Sequence, residues 1–92
     1  AYAVVTAMGP TYFWFQWAEL LNVAKHCGLS ETDARSGVAS MIVGAVKTMF
    51  DSGMTEDAVF DLIPVKPLNE EEGAIRLIYR SKLESLYEKL RS

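Results

Sequence analysis

The side chains of this 92-residue chain that could do acid–base or nucleophilic chemistry are few and poorly spaced for it. His26 is the only histidine and Cys27 the only cysteine. They are adjacent, and neighbours on a helix point about 100° apart, so the pair does not make a nucleophile with its base. A single thiol excludes an internal disulfide and a thiolate metal cluster, and it fits a reducing, cytoplasmic setting. Glu70, Glu71 and Glu72 form the densest carboxylate group. A metal or a general acid could use such a cluster. These three follow Asn69 at a predicted helix start, where the helix dipole already favours negative charge, and capping is the simpler reading. There is no glycine-rich phosphate loop and no Ser/His/Asp set. Residue chemistry alone therefore names no catalytic residue and no metal ligand, and points to an interaction or assembly domain.

Charge narrows the partners. The net charge is −3 and the pI is about 5. Nucleic acid is excluded as a partner, because no basic patch with interleaved aromatics is present. Arg76, Arg80, Lys82, Lys89 and Arg91 are interspersed with Glu84 and Glu88 and read as a solvated helix face. A membrane is excluded too. The most apolar stretch is interrupted by Gln16, Glu19 and Asn22, short of the ~20 apolar residues a spanning helix needs. The first residue is Ala1 rather than Met, which suggests a processed chain or a piece of a longer protein.

The elements that must position these residues are helices, and the whole of residues 1–92 reads as one all-α domain of about four. "AYAVVTAM" is small and β-branched and is expected to be an extended lead-in. Gly9-Pro10 punctuates it, and Pro10 suits a first helical turn, where its missing N–H is not needed. A first helix is predicted over residues 10–27, with Gly28 as a left-handed cap. Placed at 100° per residue, Phe13, Trp14, Trp17, Leu20 and Leu21 share one wide apolar face. Tyr12, Phe15 and Val23 fall on the other side among Gln16, Glu19 and Asn22. Rings on both sides exceed what one small core can use, so Tyr12 and Phe15 are candidates for contact with a partner.

Ser30, with Asp33 three residues on, marks the start of a second helix over residues 31–52, followed by Gly53. Ala34, Val38, Met41, Ala45 and Met49 sit at core spacing. Ser36, Ser40 and Gly44 make a separate stripe of small residues that admits two readings: close packing inside the domain, or contact with another subunit. Thr55 opens a short third helix ending near Ile63, since Pro64 disfavours helix in the residue before it. "PVKP" reads as an extended hinge. Asn69 is expected to cap a last helix reaching about Arg91, with Ile75, Ile78, Tyr79, Leu83, Leu86 and Leu90 on its apolar side.

The order of these blocks resembles the C-terminal domain of the pyrroline-5-carboxylate reductase family. The run "TAMGPTYFWFQWAELLNVAKHCGLS" is similar to the family's small-residue loop ending in Gly-Pro, with a long helix after it that ends in Gly-Leu-Pro/Ser. "VGAVKTMFDSGMTEDAVFDLI" is similar to its Gly-Ala-Ala-Lys-Met-Leu helix with the Ser-Gly, short helix and Asp beyond. Gly44, Ala45, Lys47, Met49, Ser52, Gly53 and Asp61 match, and the likeness covers nearly the whole chain. It implies the helical half of a two-domain oxidoreductase that passes hydride from NAD(P)H to an imine in proline biosynthesis. The cofactor would be held mainly by a Rossmann domain absent from this chain, so this part alone would be neither cofactor-bound nor catalytic. It further implies a cytoplasmic, intertwined homodimer, with Tyr12, Phe15, Ser36, Ser40 and Gly44 as contact candidates. Thr6, Gly9, Pro10, Lys66 and Asn69 would lie on the substrate side.

One segment departs from the family. Where the family has a Ser-Pro-Gly-Gly-Thr-Thr loop for the substrate carboxylate, this chain reads "IPVKPLNEEE", and the stretch before the last helix is shorter by roughly one helix. Met8 also stands where the family usually has Ser. The departure leaves two alternatives to the leading reading: a reductase of a different imine, or a diverged, non-catalytic homodimerisation domain. Lys66 could replace the lost carboxylate contacts or be a solvated hinge lysine.

Overall fold

A computed structural model describes residues 1–91. Most of the described residues are helical and none is in a strand, so the fold is all-α. The four α-helices are α1 (Pro10–His26), α2 (Glu31–Asp51), α3 (Glu56–Phe60) and α4 (Glu72–Arg91). A π-helical turn (Ala3–Ala7) precedes α1, and a 3₁₀ turn (Asn69–Glu71) precedes α4.

The helix boundaries follow local chemistry. The Ser30 hydroxyl accepts from the Asp33 amide at 3.1 Å, and the Thr55 hydroxyl accepts from Ala58 at 3.2 Å. Each thereby satisfies one of the amides a helix start leaves without a partner. Gly28 closes α1 with φ +108°, a conformation an L side chain resists. Lys25 and His26 sit in the last turn of α1, where the dipole favours positive charge.

Three sequence expectations are corrected. The N-terminal residues are not an extended lead-in. The Met8 amide donates to the Ala3 carbonyl at 3.1 Å, closing a π-turn, and the Thr6 hydroxyl donates to the Tyr2 carbonyl at 2.7 Å. Val4 is 7% exposed in that turn, which rests on α4, so tertiary burial overrides the strand preference of its valines. Asn69 does not cap the last helix: it begins the 3₁₀ turn, Leu68 precedes that turn, and α4 starts only at Glu72. The third helix ends at Phe60 rather than near Ile63, with the Asp61 amide turned back to the Asp57 carbonyl at 3.2 Å.

The chain divides into two compact units. One comprises Ala1–Thr11 with Val65–Ser92, and in it the π-turn and the 3₁₀ turn rest on α4. The other is Tyr12–Pro64, in which α3 rests on α2. Buried apolar side chains are few. Only Val4 and Ala34 qualify among the described residues, and Tyr79, Leu83 and Leu86 on α4 are half-buried.

Candidate functional site

The five residues assigned to the substrate side by resemblance fall in one unit, Ala1–Thr11 with Val65–Ser92. Thr6 lies in the π-turn, Gly9 and Pro10 at its junction with α1, Lys66 in the connecting segment and Asn69 at the 3₁₀ turn. The junction is tight. A Cβ on Gly9 would collide with the Val5 carbonyl oxygen, so only glycine lets the backbone pass there. The Thr11 hydroxyl and amide both turn back to the Met8 carbonyl, at 2.5 and 3.0 Å. Several polar groups of the site are therefore engaged within the chain: the Thr6 hydroxyl with Tyr2, the Met8 amide with Ala3, and the Asn69 amide with the Lys66 carbonyl at 3.0 Å. That arrangement is helical scaffolding, and it differs from a glycine-rich cradle whose amides point at a carboxylate.

No group of three or more His, Cys, Asp or Glu among the described residues is placed to hold a metal ion. Cys27 is exposed at the end of α1. Glu31 is held by two cations. Its carboxylate takes the Lys25 ammonium at 3.0 Å across the Gly28 turn, and Arg35 at 3.0 Å one turn further along α2. The Lys25 contact first, and Arg35 second, hold its pKa below the usual carboxylate value. These pairs are well exposed to solvent, so the clamp fixes the α1–α2 corner at little net energy.

The contact candidates lie in the other unit, Tyr12–Pro64. Tyr12 is half-buried, whereas Phe15 is 68% exposed. Phe13 stacks on Trp17 at 5.8 Å between ring centroids, and Trp17 is half-buried with Leu21 and Ala24. Trp14, although on the wide apolar face, stays 61% exposed. Ser36, Ser40 and Gly44 are all exposed, and a Cβ on Gly44 would meet nothing within 4 Å. Their stripe is not used for close packing inside the chain.

Sequence reasoning missed a second apolar face on α2. Ala34, Val38, Ile42 and Met49 make the face turned into the chain, with Ala34 fully buried and the others half-buried. Ala39, Val43, Val46 and Phe50 share the far side of the helix, and all four are exposed. Their spacing of four, three and four residues was the available signal. Between Arg35 and Lys47 no residue of α2 carries a charge. Asp33, Ser36, Ser40, Lys47 and Asp51 form a polar side, so α2 carries two apolar faces with a polar stripe beside them.

No helix among the described residues is long and apolar enough to cross a membrane. A scan against protein-family models, a search of curated proteins and a search of solved structures each return no match for this chain.

Proposed function

We propose that this chain is the helical assembly half of an NAD(P)H-dependent, pyrroline-5-carboxylate reductase-like enzyme, and that it works as a cytoplasmic homodimer. The observation that carries the assembly role is exposed surface. Large apolar side chains stand exposed among the described residues, Trp14 at 61%, Phe15 at 68%, Val43 at 54% and Phe50 at 74%, and such apolar surface marks an interaction site.

The reductase part of the proposal rests on the ordered blocks from Thr6 to Pro10 and from Gly44 to Asp61. The placement of Thr6, Gly9, Pro10, Lys66 and Asn69 in one unit is consistent with it. The cofactor would belong to a separate Rossmann domain, and this chain would supply one wall of the imine site. The test is NAD(P)H oxidation by the parent protein with pyrroline-5-carboxylate. Turnover above background is the expected result. Turnover with another cyclic imine alone would reassign the substrate. Inertness toward all of them, in a protein that still dimerises, would make the domain a non-catalytic assembly module.

A further inference from the structure

We draw no further inference here: the strongest candidate, the exposed apolar face of α2 along Ala39, Val43, Val46 and Phe50, carries none, because nothing in the structure shows what covers it.

Discussion

At the scale of single residues, the positions that matter are mostly backbone devices. Gly9 stands where any Cβ strikes the Val5 carbonyl, so Gly9→Ala must open the junction between the π-turn and α1. A loss of about 1–3 kcal/mol is expected, read as a lowered urea midpoint. Ser30→Ala removes the cap on the Asp33 amide and should cost about 1 kcal/mol by the same measurement. Glu31 has a pH signature. Its folded pKa is depressed by Lys25 and Arg35, so its contribution is present above the pKa of the unfolded chain. That contribution disappears as pH falls through the folded value. Wild type and Glu31→Gln should therefore differ slightly in stability at neutral pH and converge in acid. A difference that persists below the carboxylate range would assign the effect to something other than charge. Of these positions, Ser30 and Gly28 were legible from residue type alone, because capping and left-handed turns depend on local chemistry. Gly9 was legible only as punctuation, since its role depends on how closely a carbonyl four residues earlier approaches.

At the scale of elements, the helical periodicity located the four α-helices, with ends within a few residues of those observed. It failed at the N-terminus, where a β-branched run became a π-turn because Val4 finds burial on α4. Local propensity carries no information about such a tertiary partner. Val4→Ala should release that turn at a cost of about 1.5 kcal/mol, with faster amide exchange at Met8 than in wild type. Unchanged exchange there would mean that the turn does not depend on α4. For α2, Ala34, Val38 and Met49 of the expected core positions are buried or half-buried, Met41 and Ala45 are exposed instead, and the opposite apolar face was not recognised. A helix with apolar residues on two sides gives a weak periodic signal. On α1, Trp14 belongs to the wide apolar arc by angle but is 61% exposed.

At the scale of the whole molecule, the central fact is the mismatch between a sequence that is half hydrophobic and the two apolar side chains buried among the described residues. A 92-residue domain has a marginal core at best, and the proposed homodimer would add apolar burial to it. The proposed homodimer would make stability depend on concentration, with each tenfold dilution removing about 1.4 kcal/mol. The fold class was readable because helix formation is periodic and local. The proposed assembly rests, at the sequence level, on the excess of rings on α1, a feature that carries no information about where a partner would sit. The most direct test is sedimentation equilibrium of this chain across micromolar concentrations, with helix content followed on the same samples. A mass of twice 10.2 kDa is predicted, with helix content falling as the dimer dissociates on dilution. A mass of 10.2 kDa with full helix content and a cooperative, concentration-independent thermal transition would contradict it.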